Sequence, residues 1–247
     1  MNIKRSVGAR VVGFSHMDNI LASLGHHISE AVPDGGRVLD VGCGEMHISS
    51  TIAERIGSSY ELVASDINPN KLADPTNEMY SPQPNLSPAA GDATQLPFEA
   101  DTFDITYSTS FFSHVHSHDS ALDEQVRVTK PGGYILVLDE NLLSPYQLYK
   151  WICDSGLNGW FKWLVSKDET QMLEVEGFKY RGVNENHYSP RYWRKYIDDS
   201  AYLSLKTVTS PRVEQDSRLV GLFSLPLLDR IYTFYETHTI VVARVDE

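Results

Sequence analysis

The stretch "RVLDVGCGEMHISSTIAERIG" (37–57) constrains this chain more than any other. "RVLDV" has the character of a buried strand, and it runs into a glycine pair. "HISSTIAERIG" then has helix-like spacing and is closed by Gly57. A strand, a glycine turn and a helix in immediate succession open a parallel crossover unit. The rest of the chain repeats the alternation. "YELVASDI" (60–67), "FDITYS" (103–108) and "YILVLDE" (134–140) read as strands, and "SALDEQVRVTK" (120–130) reads as a helix. "YLSLKTV" (202–208) and "HTIVVARV" (238–245) are two late strands expected to pair antiparallel at one edge. The proline-rich stretch "NPNKLADPTNEMYSPQPNLSPAA" is expected to be mostly loop. The fold class expected is α/β: a Rossmann-like, doubly wound, mostly parallel sheet of seven strands with an antiparallel edge strand and a helical lid insertion.

One domain of 247 residues accommodates all of this. Residues 1–34 form an N-terminal helical segment, with helix spacing over 18–32. Residues 35–140 form the ligand-binding core, 141–201 a lid, and 202–247 the closing strands. The lid span separates two strands by far more than the roughly a dozen residues a crossover with its helix requires. It also holds all four tryptophans, Trp151, Trp160, Trp163 and Trp193. It reads equally as extra helices with their own small core or as a cover over the site. A net charge of -12 argues against a large nucleic-acid footprint, which needs a basic face. Cys43 and Cys153 have no disulfide or zinc spacing. The N-terminus lacks an apolar leader core. "LVGLFSLPLLDRIYTF", broken by Pro226 and Asp229-Arg230, is too short to span a bilayer. It reads as a core helix or a homodimer contact. The expectation is a soluble, cytoplasmic protein without a membrane partner.

The glycine loop admits three ligand classes. No Gly-Lys-Ser/Thr follows it, so it is not a phosphate-binding P-loop. Gly42 and Gly44 are followed by Glu45-Met46-His47, so the third glycine of a dinucleotide fingerprint is missing. Asp40 and Glu45 would repel a pyrophosphate beside the loop. They would favour S-adenosylmethionine, whose methionine end carries an ammonium and whose sulfur is a sulfonium. Asp66 ends the second strand, 22 residues after Gly44, where an acidic side chain can take ribose hydroxyls. Asp92, in "GDATQLPF", stands where an adenine amino group could be read.

"VLDVGCG", "SDINP", "GDATQLPFEADTFDITYS" and "RVTKPGG", in this order, closely resemble class I S-adenosylmethionine-dependent methyltransferases, above all the broad bacterial small-molecule group. The resemblance covers about residues 35 to 140. It implies Asp40, Gly42 and Gly44 around the methionine moiety, and Asp66 on the ribose. Asp92 and Ala93 fall near adenine, and Ile67 and Ser108 join the donor set. Met46 departs from the family, which commonly has a small residue there, and so does the proline-rich third crossover.

Methyl transfer to a hydroxyl requires removal of its proton, commonly by histidine. His114 and His116 follow the fourth strand, and His187 precedes a helix that Ser189 caps and Pro190 opens. Both segments are expected at the carboxyl edge of the sheet, making His114, His116 and His187 the candidate bases. No resident metal is expected. A divalent ion held by His114, His116 and His118 with Asp139 or Glu140 stands as an alternative. Arg191, Arg194 and Lys195 read as a solvated helix face. The expected function is O-methylation of a small molecule, with an aromatic or glycosidic ring suggested by the tryptophans. Transfer to nitrogen or carbon, and donor binding without transfer, are the alternatives.

Overall fold

The computed structural model describes residues 4–73, 80–115, 117–140, 179–180, 183–184, 190–209 and 238–246. Its helices are α1 (Lys4–Ala31), α2 (His47–Ile56), α3 (Pro69–Ala73), α4 (His118–Val128) and α5 (Pro190–Asp198). The strands of the main sheet are β1 (Gly36–Val41), β2 (Tyr60–Asp66), β3 (Leu86–Ala90), β4 (Phe103–Thr109) and β5 (Thr129–Glu140). After the small pair β6 (Lys179–Tyr180) and β7 (Val183–Asn184) come β8 (Leu203–Thr209) and β9 (His238–Val245).

The seven strands lie in the order β3-β2-β1-β4-β5-β9-β8. The first five run parallel, and β9 is antiparallel to both β5 and the outermost strand β8. Period-two alternation fills both faces. Val38, Leu62, Ile105 and Leu136 bury on the side of α1 and α2. Leu39, Val63 and Phe103 bury on the opposite side, and so do Ile135, Val137 and Val241, which pack with α4 and α5. The chain builds outward from β1 in both directions, so the crossovers diverge between β1 and β4. That divergence opens a crevice at the carboxyl ends of these strands.

Three local readings need correction. Helix α1 begins at Lys4, well before the predicted 18–32 span, although Ile20, Leu21, Leu24 and Ile28 are buried as its spacing requires. Once the packed part is anchored, extension adds a hydrogen bond per residue without a new nucleation cost. The proline-rich stretch contains α3 and the strand β3, with Pro88 inside the strand. β3 pairs only with β2, and an edge strand can spare the N–H that proline lacks. Helix α4 stops at Val128, so Lys130 lies beyond it, in β5. Lys130-Pro131-Gly132-Gly133 forms a bulge: the pairing jumps from Phe103–Thr129 to Ile105–Tyr134. Gly132 takes φ +80, and a Cβ on Gly133 would stand 2.7 Å from the Asp104 carbonyl.

Candidate active site

A cleft of about 610 Å³ opens at that divergence, and four strand ends build it. Val41, Gly42 and Gly44 come from the end of β1 and its loop. Ser65, Asp66, Ile67 and Asn68 follow along β2, with Lys71 from α3. Gly91, Asp92 and Ala93 follow β3, and Ser110, Phe111, His114 and Val115 follow β4. Gly42, Gly44, Asp66, Ile67, Asp92, Ala93 and His114 are thus brought together. Asp40 and Ser108 are fully buried and do not line the cleft. His116, His187 and Ser189 lie outside the described residues, as does the lid span 141–178. Of the tryptophans only Trp193 is described. It lies on α5, wholly buried against Phe112 in the core.

The loop after β1 shows why glycine is needed at position 42. Its φ is +76, and a Cβ would come within 2.3 Å of the Phe111 ring. Gly44 also has positive φ (+58), with open space where a Cβ would stand. The Gly42 and Cys43 amides donate to the Ser65 carbonyl at 2.8 and 3.0 Å, tying the loop to β2. Met46 carries the third turn in the left-handed region at φ 56, with its side chain buried. A residue other than glycine in this region is uncommon, and core burial of the thioether compensates for it here.

Asp66 ties two loops of the cleft together. Its Oδ2 accepts from the Gly44 amide and its Oδ1 from the Asn68 amide, both at 2.9 Å. Each carboxylate oxygen can accept a second hydrogen bond, which leaves capacity for a ribose diol. Asp92 Oδ1 accepts from the amide and the hydroxyl of Thr94, each at 2.8 Å. Those bonds hold its carboxyl below the ordinary value and keep it an acceptor. Asp40 accepts from Ser49 Oγ at 2.7 Å through Oδ2, while its buried Oδ1 has no hydrogen-bond partner. Burial pushes its carboxyl up to about 7, and the negative charge of Asp66 adds to the rise. Burial likewise raises the Cys43 thiol, so Cys43 is no thiolate nucleophile.

His114 is exposed at the mouth of the cleft, on a turn closed by its own amide to the Phe111 carbonyl at 2.9 Å. His118 is elsewhere. Its Nε2–H donates to the Phe112 carbonyl at 2.9 Å, and its Nδ1 lies 3.4 Å from the Tyr192 hydroxyl of α5. Burial lowers its pKa, so it packs as a neutral ring. This removes it from a shared site with His114, and among the described residues no three His, Cys, Asp or Glu side chains converge as a metal centre.

The residues present fit S-adenosylmethionine. The cleft is lined by carboxylates at two strand ends and has an exposed apolar side chain, Ile67, beside Asp66. Pattern reading missed Val41, Ser65, Asn68, Lys71, Gly91, Ser110, Phe111 and Val115. A position at a strand end or in the loop that follows it was the signal available for all of these but Lys71, which lies on α3.

The methyltransferase-domain family matches residues 39–137. The chain is 32% identical over 142 residues to the ubiquinone/menaquinone biosynthesis C-methyltransferase UbiE of Nitrosospira multiformis, covering 56% of this chain and 57% of that one. It is 34% identical over 109 residues to the demethylmenaquinone methyltransferase of Lysinibacillus sphaericus, covering 44% and 46%. The chain thus spans about half the length of these curated relatives. The PH0226 protein of Pyrococcus horikoshii shares the fold, with TM-score 0.57 at 18% identity over 91% of this chain and 88% of that one. No helix among the described residues is long and apolar enough to cross a membrane. With its glycine loop, its acidic strand ends and its strand order, the part of the chain spanning residues 39–137 is a methyltransferase domain of the class I S-adenosylmethionine-dependent type.

Proposed function

We propose that this protein transfers a methyl group from S-adenosylmethionine to a carbon atom of a small aromatic acceptor of the hydroxylated, quinol-like type. The observation that carries the donor assignment is the Asp66 carboxylate, fixed between the Gly44 and Asn68 amides at the rim of an acid-lined cleft. The acceptor atom is a change from the oxygen expected above, and the C-methyltransferase relatives favour it. When bound, S-adenosylmethionine supplies an electrophilic methyl on a cationic sulfur.

The chain's own residues then have three tasks. Gly42 and Gly44 let the backbone approach the methionine end, with Asp40 beneath. Asp66 takes the ribose hydroxyls, Ile67 covers an adenine face, and Asp92 accepts from the adenine amino group. His114 takes a proton from the acceptor. An ionised ring hydroxyl pushes electrons onto the ring carbon, which then forms the new bond as the methyl leaves sulfur with no electrons of its own. That carbon afterwards releases its proton and the ring regains aromaticity. Proton removal of this kind is worth on the order of a hundred to ten thousand fold in rate.

The test has two arms. Calorimetry should show S-adenosylhomocysteine binding to the native protein and a loss of about 1.5–3 kcal/mol in Asp66→Ala, the range for charge-assisted hydrogen bonds. Incubation of an isotopically labelled donor with a panel of hydroxylated aromatics should yield products labelled at a ring carbon. Label on oxygen alone would return the assignment to O-methylation, and unchanged affinity in Asp66→Ala would remove that residue's role.

A further inference from the structure

The wall of the cleft formed by Gly91, Asp92 and Ala93 belongs to a loop that buries Leu96 in the core and runs on to Phe98. It folds tightly on itself: Asp92 caps Thr94, the Gln95 amide donates to the Asp92 carbonyl at 2.9 Å, and a Cβ on Gly91 would meet Pro97 at 2.5 Å. Its far end is held from α4 by two side chains. Glu124 Oε2 accepts from the Leu96 amide at 2.8 Å. Arg127 grips Glu124 with both arms, Nε to Oε1 and Nη2 to Oε2, each at 2.7 Å. The same guanidinium donates to the Leu96 carbonyl through Nη2 at 3.0 Å and to the Phe98 carbonyl through Nη1 at 2.9 Å. Three backbone groups of the loop are thereby fixed by one bidentate pair, the geometry in which arginine adds direction as well as energy. The ion pair holds the Glu124 carboxyl below its ordinary value, so the clamp stays charged through neutral pH.

From this geometry we infer that Glu124 and Arg127 are positioning residues for nucleobase recognition, setting the loop that presents Asp92 and Ala93 to the adenine of the donor. Neither side chain lines the cleft, and they act through the loop. The inference rests on the donor assignment above. Arg127 cannot be replaced by lysine without loss, because a point ammonium cannot reach Glu124 and two carbonyls in one plane.

Discrimination between S-adenosylhomocysteine and S-inosylhomocysteine, measured by calorimetry, tests the clamp. The inosine base presents a carbonyl where adenine presents an amino group, so the native protein should favour the adenosine form strongly. Arg127→Ala and Arg127→Lys should lose about tenfold or more in affinity for S-adenosylhomocysteine. Both should lose much less for the inosine analogue, compressing the ratio. Glu124→Gln keeps an acceptor for Leu96 and should fall between the two. A purely structural role would lower both affinities together and leave the ratio unchanged, and that outcome, or native affinity in both arginine variants, would overturn the inference. Failure of the native protein to bind either nucleoside would instead overturn the donor assignment.

Discussion

At the scale of single residues, Asp40 is the buried carboxyl whose ionisation bears on stability most directly. Its carboxyl is wholly buried, holds one hydrogen bond from Ser49, and sits beside the buried Tyr107 hydroxyl of the neighbouring strand. Such a group favours its neutral form when the cleft is empty and its charged form when a cation arrives. Burial raises it from 3.8 to about 7, so across that window the folded protein retains a proton that the unfolded chain has lost. Stability from this group is therefore complete below about pH 4, falls as the pH rises toward 7, and changes little above. Asp40→Asn keeps an acceptor for Ser49 and offers a donor toward Tyr107, without the ionisation. Thermal melts of the ligand-free protein should show Asp40→Asn more stable than native at pH 8, by roughly 2–4 kcal/mol at about 1.4 kcal/mol per pH unit. The gain should vanish near pH 4, and S-adenosylhomocysteine affinity should drop in the same variant. A gain that persists at low pH would show that packing, and not ionisation, is responsible. The sequence made Asp40 visible as a carboxylate next to the loop. It could not show that the side chain is buried against Ser49 of α2 while Val41 lines the cleft, because residues 40 and 41 of one strand point to opposite faces and the facing layer decides which is covered.

At the scale of elements, the loop after β4 and the helix α5 meet through aromatic rings. Phe111 borders the cleft, Phe112 packs edge-on to it at 5.1 Å, and Trp193 packs edge-on to Phe112 at 5.1 Å. His114 is displayed from this same loop, so its placement depends on a buried aromatic stack. His114→Ala should cut turnover on the order of a hundredfold or more and leave donor affinity nearly unchanged. Near-native turnover in that variant would move proton removal to another group. Trp193→Ala removes the largest fully buried side chain among the described residues and should cost about 3–5 kcal/mol in chemical denaturation. A loss under about 1 kcal/mol would mean that α5 is only weakly anchored by its tryptophan. Strands β1, β2, β4 and β5 were legible because apolar runs buried on both faces leave a continuous signal. β3 was hidden by Pro88, which only an edge position tolerates. Sequence reading left Trp193 open between core and cover because helix α5 carries exposed Arg194 and Lys195 beside a buried face, and tryptophan content says nothing about which face it occupies.

At the scale of the whole molecule, the cleft and the family match fall on one part of the chain. The family match over residues 39–137 contains every strand end that lines the cleft, Asp66 among them, and the Glu124–Arg127 pair. The segment 141–201 lies beyond it and enters β8 through α5. A parallel sheet fixes the donor by backbone geometry that varies little, whereas acceptor choice needs a pocket of variable shape built on its carboxyl edge. We therefore expect acceptor choice to travel with residues 141–201. A chimera that replaces them with the corresponding segment of the Nitrosospira multiformis relative should keep S-adenosylhomocysteine affinity within a few fold. Its acceptor preference should move toward that of the relative. The melting curve of the chimera checks that it is folded, and donor affinity checks that the 39–137 core is intact. If a folded, donor-binding chimera keeps the native acceptor preference unaltered, the residues that choose the acceptor lie in the β4 loop around Phe111 and Val115, and the 141–201 segment is scaffold.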